Sequence, residues 1–512
     1  MIDEIRQKPE LVIAGPGAGK TYDMVARVVK VLPSLKPNRV LAVITYTNAA
    51  ADSIRERLCK VADIPPNVFV GTIHSFLNRY ILTPYATLFG HVPQDKLFLE
   101  VDVKGIVDRG LKGQRGGKTE RNHAAENRLR TNVTTKLLEK GVVPFEQIPV
   151  IAAALMENHR VKNVVCNRIQ YLFIDEFQDV DTRQIKVFDA IRKGRRTTIY
   201  AVGDPEQYIM GFTYQRRPGR GPKFENIPMK RFVAVRSTND QNRRAYAEIV
   251  DFTNHFHTKI TQTPTKGRSE VAGVFFITDT DMDAIIGKYR QLTQVLEVDR
   301  ETVTWLYLGK ENRTFEGYVD TYGLTPVSND SVEIGGLQSE SLMLISAVVG
   351  LTQKKIREKY DLDHVGLRKL GMRLIKSVRQ RKLTEEELLS FVQDTLGLEP
   401  DSESVGLRTR LDRLATRVSC DAPGPGASHQ YSTIHKAKGL EADAVLVVAK
   451  SENELTKWLM TDNEERRKDE SDTCRIGFVG FSRVKQILCI ACKQRISEEL
   501  ENKLRTLGVR ID

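Results

Sequence analysis

Residues 14–21, Ala14-Gly-Pro-Gly-Ala-Gly-Lys-Thr21, hold the first chemistry legible in this chain. Small residues at Gly15, Pro16, Gly17, Ala18 and Gly19 let backbone N–H groups approach and surround an anion. A helix expected to open at Lys20 adds its positive dipole end. The Lys20 ammonium suits β- and γ-phosphates, and the Thr21 hydroxyl suits Mg²⁺. The strict pattern has glycine where Ala14 stands, and alanine is still small; an ordinary glycine turn is the alternative. Far along the chain, Asp175-Glu176 follows the apolar Tyr171-Leu-Phe-Ile174. A strand-end aspartate can hold Mg²⁺, and an adjacent glutamate can polarise an attacking water. Gln207, just past Gly203-Asp204, could orient that water or sense the terminal phosphate, and could equally be a solvated loop amide. Arg236 and Arg483 offer the guanidinium charge that phosphoryl transfer calls for, although each alone reads as a surface charge.

These residues need a scaffold that brings loops together, and the chain's cadence supplies one. Apolar runs at Leu11–Ile13, Val40–Ile44, Val68–Val70, 171–174 and 197–203 read as buried strands, alternating with helical segments. Strand, helix, strand in this order implies parallel βαβ units with functional loops at the carboxyl ends of the strands. A second cycle is expected from about Phe232, with strands near 271–274, 302–308, 444–448 and 487–490. Residues 335–420 read as charged helices, and 421–428 as a Pro/Gly linker. Between about 80 and 165 the cadence is lost. There, Lys112–Arg121 is glycine-rich and basic, either a solvated loop or a phosphate-contacting surface. Another basic glycine/proline loop carries Arg216, Arg217, Arg220 and Lys223.

At 512 residues the chain exceeds what one core usually supports. Lys+Arg 78 against Asp+Glu 66 gives +12, which favours an anionic partner such as nucleic acid. Six cysteines are too few for a disulfide framework. Cys489 and Cys492 sit in an apolar run and read as core residues of a reduced, cytoplasmic bacterial protein. No signal peptide or bilayer-spanning run is apparent, so no membrane association is expected.

The motifs taken together resemble the superfamily 1A helicases of the UvrD/Rep/PcrA type. The segments fall in that family's order: AGPGAGKT (14–21), ITYTNAAADSIRERL (44–58), VGTIHSF (70–76), FIDEFQD (173–179), VGDPEQYIMGF (202–212), VRST (235–238), TIHKAKGLEADAVLVV (433–448) and VGFSRVK (479–485). The resemblance implies an α/β protein with two RecA-like parallel-sheet motor domains and mostly helical accessory insertions, in a 1A/1B/2A/2B arrangement. Domain 1A would take 1–80 plus 165–230, 1B 81–164, 2A 231–334 plus 425–512, and 2B 335–424. It implies ATP and Mg²⁺ as cofactors, with Lys20, Thr21 and Asp175 at the triphosphate and metal. Glu176 would be the base and Gln207 the γ-phosphate sensor. Arg236 and Arg483 would reach the γ-phosphate from the second motor domain, with Gly439 at the nucleotide and Glu441 at the ribose. Thr47, Asn48, Thr72, His74 and His435 would line a single-stranded DNA path. Phe212 would stack on a base, a core aromatic being the alternative.

Three departures stand out. Only ten residues precede Leu11, and Gln7 is too close to match the family's adenine-reading glutamine. The aromatic residue expected before the motif-four arginine is Val235, which puts selectivity for ATP over GTP in question. The insertion in the second half is short for a free-standing repair helicase, as in a subunit of something larger. Compact length and the residues Gly71-Thr72, Ile81-x-x-Pro84 and Phe89-Gly90 resemble the helicase-like subunits of Gabija-type anti-phage systems. That implies single-stranded or end-containing DNA as substrate, 3′-to-5′ stepping, and a nuclease partner with an ATPase-like domain (GajA-like, OLD-family). An autonomous repair helicase and a nucleotide-binding DNA-end sensor that does not unwind are the rival expectations.

Overall fold

The computed structural model describes residues 9–90, 98–100, 123–139, 142–209, 232, 234–296, 303–327, 334–351, 353–362, 364–380, 383–401, 407–419, 428–468 and 472–511. Phe212, Gln7, Lys112–Arg121 and the basic loop at 216–223 lie outside them. The described chain forms two units, Met1–Val327 with His429–Asp512, and Ser328–Ser428.

In the larger unit, β1 (Glu10–Ala14), β2 (Val40–Thr45), β3 (Val68–Thr72), β4 (Ile169–Ile174), β5 (Thr198–Gly203) and β6 (Val235–Asn239) form one sheet. Its order is β3-β2-β4-β5-β1-β6, and every pairing is parallel. All six residues of Val-Leu-Ala-Val-Ile-Thr in β2 are buried, as expected of a strand covered on both faces. Helices α1 (Lys20–Val31) and α2 (Asn48–Val61) contribute Met24, Val28, Ile54 and Leu58 to the core on one face. On the other face packs α3 (Ile148–Glu157), with Ile148, Ile151, Ala152, Leu155 and Met156 buried against Leu172 and Ile174. Its sequence, Ile-Pro-Val-Ile-Ala-Ala-Ala-Leu-Met-Glu, is apolar nearly all round, which marks a core helix. The end of the 81–164 segment therefore covers the first sheet rather than standing apart from it.

Strand β6 corrects a boundary. It was expected to open the second cycle, yet it pairs along its whole length with β1, Leu11 opposite Arg236 and Ala14 opposite Asn239. Phe232, just before it, packs on Phe177 within the first core.

The second sheet comprises β7 (Gly273–Thr278), β8 (Thr304–Gly309), β9 (Thr325–Pro326), β10 (Ser428–Thr433), β11 (Ala442–Ala449), β12 (Val484–Cys492) and β13 (Arg510–Ile511). They lie in the order β9-β10-β8-β11-β12-β7-β13. Every residue of β11 is buried, and it runs parallel to β8 and β12. Cys489 and Cys492 are buried free thiols in β12. The chain is thus α/β, with two RecA-like parallel sheets. In the smaller unit, helices at Ile334–Val349, Gln353–Lys359, His364–Gln380, Glu385–Ser390 and Leu407–Ser419 enclose a core of leucines and valines such as Leu344, Leu374 and Leu388. Among the described residues no helix is long and apolar enough to cross a membrane.

Near the second sheet's edge, His429 stacks on Trp305 (4.3 Å between ring centres), and its Nδ1 lies 2.8 Å from the Tyr307 hydroxyl. Burial, then Arg290, lowers its pKa to about 4, below the ordinary value near 6.5. The unfolded chain therefore binds more protons between pH 6.5 and 4. The stability that neutral His429 provides is complete above pH 6.5 and is lost as the pH falls toward 4. Melting curves over that window should show a shallower pH slope in His429→Gln than in the parent.

Candidate functional site

All six strands of the first sheet end on one edge, and the phosphate loop leaves that edge after Ala14. Gly17 (φ 72°) and Gly19 (φ 79°) take left-handed backbone that side chains disfavour. A Cβ on Gly15 would lie 2.6 Å from Cδ of Gln262, and one on Gly17 2.5 Å from Oδ1 of Asn242. The loop is therefore clasped as well as curled. Asn242 Nδ2 and Gln262 Nε2 each donate to the Pro16 carbonyl at 3.0 Å, and Asn239 Nδ2 donates to that of Ala18 at 3.1 Å. Lys20 Nζ donates to the carbonyls of Ala14 (3.2 Å) and Gly15 (3.1 Å), which draws the ammonium back beneath the loop. Burial lowers its pKa, against the opposing pull of Glu176, Asp204 and Asp175. Thr21 is partly buried in the first turn of α1.

Strand β4 delivers the two carboxylates. Asp175 is anchored by its N–H to the Ile44 carbonyl at 2.9 Å, and its Oδ1 accepts the Glu176 N–H at 2.9 Å. Glu176 adopts a left-handed φ of 50°, which turns the chain sharply and sets the two side chains apart. Burial, then the neighbouring Glu176 charge, raises the Asp175 pKa to about 7. Glu176 is also buried, but Lys438, Lys20, a hydrogen bond from Gln178 and Arg483 outweigh that and lower its pKa. Glu176 is thus ionised at neutral pH, while Asp175 is a carboxylate short of positive charge.

That shortage fits Mg²⁺. This ion takes hard oxygen ligands, one or two carboxylates completed by phosphate and water, rather than an all-protein cage. Asp175 and Thr21 offer such oxygens, and no cluster of three His, Cys, Asp or Glu that could hold a metal occurs among the described residues.

The second half of the unit closes over this edge. Arg483, fully buried at the end of the Thr473–Phe481 helix, donates from Nη2 to Gln207 Oε1 at 3.0 Å and from Nε to the Val479 carbonyl at 2.9 Å. Burial and the nearby Arg244 lower its pKa to about 9, which leaves it charged at neutral pH. Lys438, one residue before Gly439, pairs with Asp179 and donates to the Gln207 carbonyl at 3.0 Å. Gly439 itself has φ 90° with open space around it. Glu441 accepts from Arg244 Nε at 2.6 Å, and Arg244 Nη1 donates to the Ser482 carbonyl at 2.7 Å.

The structure does not bring Arg236 to this cluster. It is exposed on β6 opposite Leu11, about 10 Å back along the strand from Ala14 at ~3.3 Å per residue. Arg244 is the arginine that the structure places beside the cluster, close enough to Lys20 and Arg483 to lower the pKa of both. The reading of Val235 falls with that of Arg236. The residue before Arg244 is Arg243, whose N–H donates to the Gly17 carbonyl at 2.8 Å and whose guanidinium lies beside Gly19. Asn242, Arg244 and Gln262 were missed. The run Gln241-Asn-Arg-Arg244, polar residues just past the strand Val235–Asn239, was the available signal.

The residues expected on a DNA path fall at strand ends. Thr47 is exposed and caps α2, its Oγ1 accepting the Ala50 N–H at 3.2 Å; Asn48 is the first residue of that helix. Thr72, opposite Thr45 in the sheet, caps the short helix Ile73–Leu77 through the Ser75 N–H. His74 stacks on Phe145 (4.0 Å, 19°), and burial lowers its pKa to about 4. His435 follows β10 in the second half, partly buried, and burial lowers its pKa as well.

A phosphate loop, two strand-end carboxylates and a buried arginine from a second RecA-like sheet define the class of P-loop ATPase sites. Comparison with known proteins narrows the class. A family model described as an AAA domain matches residues 1–213. The chain is 24% identical over 461 residues to the Gabija protein GajB of Bacillus cereus (strain VD045), covering 86% of this chain and 87% of that one. It is 26% identical over 297 residues to a probable DNA helicase II homolog of Mycoplasma capricolum, covering 49% of this chain and 39% of that protein. With the ATP-dependent DNA helicase PcrA of Leuconostoc citreum it shares 25% identity over 288 residues, 48% of this chain and 36% of that one. The matches therefore span about two fifths of these helicases but most of GajB. The chain is thus similar to DNA helicases of the helicase II, Rep and PcrA type over about half of its length, and to GajB along most of it.

Proposed function

We propose that this protein is an ATP-driven motor that steps along single-stranded DNA as the helicase-like subunit of a nuclease-containing anti-phage complex. The observation that carries the motor reading is the Gln207 amide. Asp204 of the first half accepts from its Nε2 at 2.8 Å, and Arg483 of the second half donates to its Oε1 at 3.0 Å. A phosphate sensor gripped by both halves ties the chemistry to their separation.

In this reading Gly15–Gly19 and Lys20 would hold the β- and γ-phosphates, and Thr21 and Asp175 would hold Mg²⁺, which would supply positive charge to the phosphates. Glu176, ionised, takes a proton from the attacking water. Gln207 orients that water, and Arg483 and Arg244 stabilise charge on the departing γ-phosphoryl oxygens. Glu441 steers Arg244 and, two residues past Gly439, would take the ribose. Once hydrolysis removes the phosphate that bridges the halves, they part, and differing DNA affinity in the two states gives a step. Thr47, Asn48, Thr72, His74, Phe212 and His435 are proposed to contact the DNA. The match to most of GajB, against a fraction of the helicases, supports the subunit reading.

Directional stepping is tested by ATP-dependent displacement of streptavidin from biotinylated oligonucleotides. Displacement from the 5′ end but not the 3′ end is expected for 3′-to-5′ movement; none from either end contradicts the motor. A nuclease retained on the tagged chain from its native host is expected, whereas recovery alone together with strong unwinding supports the autonomous helicase.

A further inference from the structure

His257 is buried, only 2% of its side chain being exposed, and the chemistry above makes no use of it. Its Nε2 lies 3.0 Å from Asp204 Oδ1. Its Nδ1 accepts two backbone N–H groups, from Ile260 at 3.0 Å and Lys259 at 3.2 Å. Those donors require a lone pair on Nδ1, so the ring proton of the neutral imidazole sits on Nε2 and is donated to Asp204. Asp204 Oδ1 also accepts the Glu206 N–H at 3.0 Å, which leaves Oδ2 to face Gln207 Nε2. Arg483 can only donate and ionised Asp204 can only accept, so the Gln207 amide has one permitted orientation.

The chain of contacts crosses the unit. Asp204 and Gln207 follow β5 of the first sheet. His257 follows α4 (Ala247–Asn254), whose Ile249, Val250 and Phe252, with Phe256, belong to the second sheet's core. The neighbouring residue makes a parallel tie: Thr258 donates to Glu206, which also receives Arg466 Nη2 at 3.2 Å with both side chains buried.

We infer that His257 is a positioning residue for hydrolysis: through Asp204 it fixes the Gln207 amide toward Arg483, and it does so only while the second half is seated on the first. This rests on the motor reading above. Losing the Nε2–H donor frees Asp204 to rotate and Gln207 to flip, which misplaces the attacking water without touching the Lys20 grip on the triphosphate. Misplacement of about 1 Å costs roughly 100-fold in rate.

The test compares kcat and KM for ATP, at saturating oligo-dT, in the parent, His257→Leu and His257→Gln, with melting temperatures alongside. In the Leu variant kcat should fall roughly 10- to 100-fold with KM for ATP nearly unchanged. The Gln variant, whose Nε2 can replace the lost donor, should recover most of that loss. Parental kcat in the Leu variant overturns the inference. So does a rise in KM alone, or a folded Gln variant as slow as Leu. If the Leu variant does not fold, His257→Phe, which keeps a ring against Phe478, takes its place. A parent without ATPase activity contradicts the motor reading and leaves the relay to imidazole ¹⁵N shifts. There, an Nε2–H tautomer at neutral pH is expected, and the Nδ1–H tautomer overturns the inference.

Discussion

Arg483→Ala should lower kcat for DNA-stimulated ATP hydrolysis by about 10³-fold or more, the scale on which an arginine at the transferring phosphoryl group acts. KM for ATP should change far less, because the Lys20 loop is untouched. Arg483 is fully buried and bonded to Gln207 Oε1, Ser482 Oγ and the Val479 carbonyl. The alanine variant removes that buried donor, and each neutral acceptor left unpaired costs about 1–3 kcal/mol. Arg483→Lys keeps the charge but not the fork, so it should remain folded and still be slow. A folded lysine variant at parental rate would remove Arg483 from the chemistry.

The second large effect belongs to Lys20. Lys20→Ala should abolish measurable turnover and weaken binding of a labelled ATP analogue, with little loss of stability. The buried Lys20 ammonium donates to the Ala14 and Gly15 carbonyls at 3.2 and 3.1 Å, and its removal also ends the cost of burying that charge, which offsets the two lost bonds. Removing one preorganised donor from developing charge costs about 10²–10³-fold, and here the donor is also a full charge against a triphosphate. Equilibrium binding by fluorescence separates this from Arg483→Ala, which should still bind. A Lys20→Ala variant that hydrolyses ATP normally would refute the site.

What could be read from the sequence was what depends on neighbours in the chain. Leu11-Val-Ile-Ala14 followed by glycines and Lys20-Thr21 announces strand, loop and helix, since apolar run, φ-permissive residues and helix start are all local. The same holds for Tyr171-Leu-Phe-Ile-Asp-Glu176, and for the helices of 335–420. Register is not local. Arg236 matched a motif by spacing, but hydrogen bonding to β1 sets it opposite Leu11, at the wrong end of the strand. Asn242 lies in the two-residue strand Gln241–Asn242, Arg244 just after it and Gln262 beyond the next helix, all in short polar stretches without periodicity, and only their bonds to Pro16, Glu441 and Ser482 give them a role. His257 was invisible for the same reason: its partner, Asp204, lies 53 positions away.

The most direct test is the steady-state rate of ATP hydrolysis by the purified chain, measured with and without single-stranded oligo-dT. A site completed by Arg483 from the second half, with candidate DNA contacts on both halves, should turn over slowly alone. DNA should raise kcat at least about tenfold, equivalent to ~1.4 kcal/mol of barrier, and Glu176→Gln should lose the stimulated rate. A rate indifferent to DNA, or one that survives Glu176→Gln, would contradict the account.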